Sequence, residues 1–279
     1  MTVEVIETFL ASKTENPRDC EDMIFIDQNF AAVIDGVTSK RKSGELDSST
    51  GRKAAELILE TLAALPADLD GTHAFRALNQ TIRTYYEKQD ILQEAELYKE
   101  YRCGASVVIY SNCRREVWRV GDCGIRIGSQ EFQGKKNLDR LLSELRACFL
   151  ETEIRRGKTF KELQAFDPAR AYLEEMLSRQ VVFQNAREPS PYNFEVIDGF
   201  FWDYEKIERY PVVPRTKTLV LASDGYPVLK PTLEESEREL ARILKEDPLC
   251  FRTYKSTKGL YSGNVSFDDR AYVRIDVMG

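Results

Sequence analysis

The sequence runs to 279 residues, long enough to bury a sizeable core as one α/β or sandwich domain. Apolar residues make up 42% and charged residues 31%, an ordinary globular balance, and no apolar run is long enough to span a membrane. The net charge of −6 gives no basic surface for nucleic acid or anionic lipid, and the single histidine argues against His-based triads, His-rich zinc sites and a His general acid.

Residues 3–9 alternate weakly and are predicted as an opening strand, followed by a polar loop over 12–22. Two apolar runs, 23–27 and 32–35, flank Gln28-Asn29 and read as a β-hairpin. The acidic pair Glu21-Asp22 precedes the first run, and Asp35-Gly36 ends the second. Antiparallel pairing sets the start of one strand beside the end of the other, so Asp22 and Asp35 are expected to meet. Residues 40–49 are polar and predicted as a loop. Ala54, Leu57, Ile58, Leu62 and Leu65 then fall at helical spacing, with Pro66 as the stop. Phe75, Leu78, Ile82 and Tyr85 mark a second helix that runs, with a break, to about residue 101. His73 lies inside this pattern without a candidate partner and is read as a structural helix residue.

Strands at 106–110 and 116–120 form a second hairpin that ends at Gly121-Asp122, and 125–127 is expected to continue as another strand. The stretch 129–215 is the least regular. Helices are predicted at 138–150 and 169–180, and the aromatic-rich segment 194–210 reads as core and loop packing. A buried-type strand at 216–223 ends at Asp224-Gly225. Thr232-Leu233-Glu234-Glu235 is a capping-box pattern that opens a helix to about 245, closed by Pro248. Asp268-Asp269 precede a last strand at 271–277. The six cysteines show neither C-x-x-C nor metal-ligand spacing and, with no leader segment evident, are expected as free thiols in a reducing cytoplasm.

Five acidic positions therefore sit at strand ends. Asp22 and Asp268 lie just before a strand, and Asp35, Asp122 and Asp224 just after one. In antiparallel sheets all five ends can share one edge. Carboxylates brought together repel unless a cation sits between them, and hard divalent ions such as Mg or Mn take oxygen ligands of this kind. An acidic metal cluster built on rigid strands is the expectation.

The order CED, VIDGVTS, CGASVV, WRVGDCG, LVLASDG, FDDRAYV resembles the metal-dependent type 2C (PPM-family) serine/threonine protein phosphatases over nearly the whole chain. The resemblance implies an α+β fold, a four-layer αββα sandwich of two antiparallel sheets flanked by helices. It implies one phosphatase domain over 1–279, with a divergent helical or flap insertion at about 129–215. Asp35 would bridge two Mn or Mg ions, and Asp224 and Asp268 would hold one of them. Glu21 and the Gly36 carbonyl would help hold the other, with Asp22 in the same shell. Asp122, with Asp224, matches a weaker third site. Water activated between the ions would attack phosphorus, which needs no histidine or cysteine nucleophile.

The chain departs from the family pattern at two places. Pro17 stands where many members carry a phosphate-gripping arginine, so the grip is expected from Arg18, or failing that Lys13. Val37 stands where some members place a general-acid histidine, as in a bacterial-like member lacking that residue. The implied substrates are phosphoserine and phosphothreonine in proteins. The alternatives are a catalytically silent regulatory or binding protein and a phosphatase for a small phosphorylated metabolite.

Overall fold

The computed structural model describes residues 3–37, 49–134, 136–201 and 203–277. Most of the loop expected at 40–49, together with Trp202, lies outside the described residues.

Strand β1 (Glu4–Ala11) is followed by the hairpin β2 (Met23–Ile26) and β3 (Phe30–Gly36). Helices α1 (Thr50–Leu62), α2 (Gly71–Lys88) and α3 (Leu92–Leu97) come next, then the hairpin β4 (Ala105–Ser111) and β5 (Glu116–Val120). β6 (Gly124–Ile127) and β7 (Gln130–Phe132) lead into α4 (Asn137–Arg155), α5 (Phe160–Ala165) and α6 (Pro168–Arg179). β8 (Glu208–Pro211), β9 (Thr218–Ala222), α7 (Leu233–Glu246) and β10 (Arg270–Asp276) complete the order.

Two five-stranded antiparallel sheets form, β1-β10-β9-β6-β7 and β2-β3-β4-β5-β8. The unbroken apolar runs at their centres follow from cover on both faces. In β3, Ala31 and Val33 face the opposite sheet while Ala32 and Ile34 face the helices. β4 repeats this, with Val108 and Tyr110 between the sheets and Val107 and Ile109 under α1 and α2. In β9, Leu219 and Leu221 meet the other sheet, whereas Val220 and Ala222 pack outward with Tyr226, Leu229 and the partly buried Leu233 at the start of α7. The two-residue period of each strand thus builds the inter-sheet core and the two sheet–helix cores at once. This is the expected α+β αββα arrangement.

Differences from the sequence reading are local. β7, α5 and β8 carry too few residues for a period to show. β8 lies in the aromatic-rich stretch, and its alternation is hidden because it is an edge strand pairing only with β5. The broken second helix resolves into α2 and α3. His73 has a partner after all. Asp70 caps α2 through the His73 backbone N–H, and its carboxylate lies 2.9 Å from the His73 ring Nδ1. That pair is exposed and local to the helix start. None of the described helices is long and apolar enough to cross a membrane. Among the described residues no cysteine is in a disulfide.

Between β7 and β8, α4 packs on α6, and a buried Asp198 ties the segment to the strand layer. Its carboxylate accepts from Arg102 Nη1 at 3.1 Å, Gln184 Nε2 at 2.8 Å and Asn185 Nδ2 at 2.8 Å. Arg102 also lies over the Phe200 ring, its Cζ 3.9 Å from the ring centre.

Candidate active site

Register brings the acids together. Met23 pairs with Ile34, so the residue before β2 and the residue after Ile34 lie side by side. Asp22 and Asp35 are those residues, and the Asp22 charge helps to raise Asp35. Asp35 itself pairs with Ser106 on β4. Ser106 donates to Asp122, whose own N–H donates back to the Ser106 hydroxyl at 3.3 Å. This exchange needs Gly121 at a φ of +99°, where a Cβ would also strike Ser106. From the other sheet, Ser223 bonds the Asp22 carboxylate and also accepts from the Ala271 N–H at 2.9 Å, which joins the end of β9 to the start of β10.

One cleft of about 690 Å³ is lined by Glu21, Asp22, Asp35, Gly36, Asp122, Asp224 and Asp268. Lys13 and Arg18 are not in its wall. Arg18 sits on an exposed 3-10 turn over Pro17–Asp19, and its carbonyl accepts from Arg52 Nη1 at 2.9 Å. The Lys13 ammonium instead turns to Asp269, at 3.4 Å, with Asp268 at 3.8 Å.

The backbone at Gly36 is pressed against its surroundings. A Cβ there would lie 2.6 Å from the Gly51 carbonyl and 2.7 Å from the Glu21 carbonyl oxygen. The start of α1 therefore docks directly on the end of β3, and its N-cap residue Ser49 donates to Glu21. Asp269, which the sequence reading left without a role, braces the same corner. Its carboxylate accepts from the Lys13 N–H at 2.8 Å and the Glu21 N–H at 3.0 Å.

The electrostatics are those of crowded carboxylates. Burial, and then repulsion from Asp224, Asp22, Asp122 and Asp268, pushes Asp35 well above the usual range. Asp22 is likewise pushed up by burial, against a hydrogen bond from Ser223. Asp224 is raised to about 7, by burial and by Asp268 and Asp122. Asp122 goes the other way. Burial opposes its charge, but the Lys136 ammonium 2.6 Å away, together with hydrogen bonds from Ser106 and the backbone, outweighs that and holds it below the ordinary value. Lys258 pairs with Asp268. Lys136 and Lys258 are raised, since attraction to the acids overcomes their own burial. The sequence carried little signal for either lysine, because neither stands at a strand end.

The donors fit hard divalent cations in chemistry. They are all oxygens, and Asp22 Oδ2 is buried without a hydrogen-bond partner. They are not drawn into a closed cage. Among the described residues no three His, Cys, Asp or Glu side chains converge as a metal site. Ammonium groups hold Asp122 and Asp268 instead.

No family model and no curated protein matches the sequence. Solved structures do match the fold. The serine/threonine phosphatase PstP/Ppp of Mycobacterium tuberculosis superposes with a TM-score of 0.51 and 15% identity, over 99% of this chain and 99% of that one. The catalytic domain of PstP in complex with 2 manganese ions gives 0.49 and 15%, over 99% and 98%. Stp1 of Staphylococcus aureus gives 0.48 and 14%, over 100% and 98%. The chain has the fold of the PPM-type serine/threonine phosphatases.

Proposed function

We propose that the chain is a metal-dependent phosphomonoester hydrolase that dephosphorylates phosphoserine and phosphothreonine in proteins. One observation carries the reading. Five carboxylates scattered from Asp22 to Asp268, on strands of both sheets, line the same cleft of a phosphatase fold. In this reading Asp35 would contribute to two Mn or Mg sites, and Asp224 and Asp268 would complete one of them. Glu21 and the Gly36 carbonyl would help hold the other, with Asp22 in the same shell, and Asp122 with Asp224 would offer a third. The ions would activate water and offset the charge of the phosphoryl group. The chain itself supplies rigid placement. The β2–β3 register sets Asp22 against Asp35, Ser106 orients Asp122, and Ser223 orients Asp22. We read residues 1–279 as one phosphatase domain with an insertion at about 129–215. Cysteines outside any disulfide fit a reducing compartment such as the cytoplasm.

A second reading has its own observation. The ammonium groups on Asp122 and Asp268 could hold the acids permanently, as in a silent binding protein. Hydrolysis of p-nitrophenyl phosphate by EDTA-stripped protein, before and after adding Mn or Mg, decides between them. No turnover at saturating metal sinks the enzyme reading. A panel of phosphopeptides against small phosphoesters then tests the protein substrate.

A further inference from the structure

Two lysines that belong to no strand reach the acidic centre. Lys136 is the N-cap residue of α4, and Lys258 lies on the loop after α7. Both line the cleft, one held by Asp122 and the other by Asp268, and both attract Asp224. Their backbones are tied into one unit. Arg146, fully buried on α4, donates to the carbonyls of Cys250 at 3.1 Å and Ser256 at 2.9 Å. Arg170 on α6 donates to the Thr257 carbonyl at 2.9 Å. The loop that carries Lys258 is thus pinned to α4, which Lys136 caps, and to α6 packed against it.

Of the other basic groups that line the cleft, Arg140 is exposed and several are committed elsewhere. Arg102 is held by Asp198, Lys99 by the carbonyls of Val182 and Gln184, and Lys255 by Glu144. A phosphoryl dianion entering this cleft faces carboxylates and needs fixed positive charge among them.

Resting on the phosphatase reading, we infer that Lys136 and Lys258 form the phosphate grip, in the place expected for Arg18 and Lys13. Once Asp122 and Asp268 share their charge with divalent ions, the two ammonium groups lose much of their attraction there. A phosphoryl dianion is then the counter-charge within reach of the same side chains. Lysine suits the exchange, as a compact charge with rotatable donors on a flexible stem.

The test compares Lys136→Met and Lys258→Met with Lys136→Arg and Lys258→Arg. Thermal melts confirm folding, and glutamine replaces methionine in any variant that does not fold. Mn is titrated into metal-free protein, and inorganic phosphate into Mn-loaded protein, both by calorimetry. Each methionine variant should weaken phosphate about tenfold, the loss of one charged contact. KM for p-nitrophenyl phosphate should rise by a similar factor, with kcat changed less. Mn binding should stay as tight or become tighter, since a competing ammonium is gone, and the arginine variants should recover most of the phosphate affinity. Phosphate affinity within twofold of wild type in both methionine variants overturns the inference. So does loss of Mn binding along with phosphate binding, which would make the lysines props of the acidic cluster. A wild type that binds no Mn sinks the phosphatase reading separately. Phosphate titrated into metal-free protein then decides the lysines, with a weaker methionine variant sustaining the grip and an equal one ending it.

Discussion

Asp35 is the residue on which the reading turns. It is crowded by four other carboxylates, and its charge is costly until a cation shares it. Asp35→Asn should therefore cut turnover at saturating Mn by at least about 100-fold, since losing even an outer-shell partner of a metal costs 10–100-fold. The same change should raise the melting temperature of the metal-free protein, because it removes one repelling charge. Near-normal turnover would remove Asp35 from the site, and a lowered metal-free melting temperature would contradict the crowding argument. Arg18 is the opposite case. It is exposed and outside the cleft wall, so Arg18→Ala should leave KM within about twofold, against the tenfold expected for a lost phosphate contact. Steady-state kinetics on both variants checks the pair.

At the scale of elements, the seat of α1 on β3 admits no side chain. A Cβ on Gly36 would press on backbone atoms of Gly51 and Glu21, which cannot swing aside. Gly36→Ala should cost about 1–3 kcal/mol, the usual range for overpacking. Urea denaturation measures it, and an unchanged midpoint would mean that the seat can give. The Asp198 hub allows a sharper expectation. Removing its carboxylate by Asp198→Ala leaves Arg102 buried and unpaired, a loss of about 3–5 kcal/mol. A loss under about 1 kcal/mol by the same method would show that water replaces the carboxylate.

These elements also mark what the sequence made legible. β3, β9 and β10 are internal strands, and their apolar runs followed by Asp-Gly or preceded by Asp-Asp were visible as such. The five acids were legible for the same reason, since strand polarity alone places them. Lys136 and Lys258 were not, because their position depends on how α4, α6 and the loop at 250–258 fold against one another through Arg146 and Arg170. Those are contacts across about 90 to 110 positions, and no local period reports them. The Asp198 hub was hidden likewise, because Gln184, Asn185 and Arg102 carry no pattern in sequence.

For the molecule as a whole, a divalent ion that binds only the folded state should stabilise it, by about 2.7 kcal/mol at a concentration 100 times its dissociation constant. Scanning calorimetry with and without Mn, with EDTA to reverse the shift, tests this, and an unmoved melting temperature counts against the metal site. Iodoacetamide should leave activity intact. Burial pushes the Cys20 and Cys250 thiols up to about 12, and only Cys113 and Cys148 are exposed, so thiolate is scarce where it could matter.

The acidic edge draws on both sheets. Asp22, Asp35 and Asp122 come from the ends of β2, β3 and β5, whereas Asp224 and Asp268 come from the ends of β9 and β10. Ions bound there would act as a rivet through two plates held elsewhere by side-chain packing and a few cross-links such as that from Arg119 to the Phe132 carbonyl. The rivet cannot be set until the plates have docked, so it should add little to the speed of folding and a great deal to the lifetime of the folded state. Amide protons in β3 and β10 would then exchange with solvent more slowly in Mn, even though both strands keep every hydrogen bond they had without it.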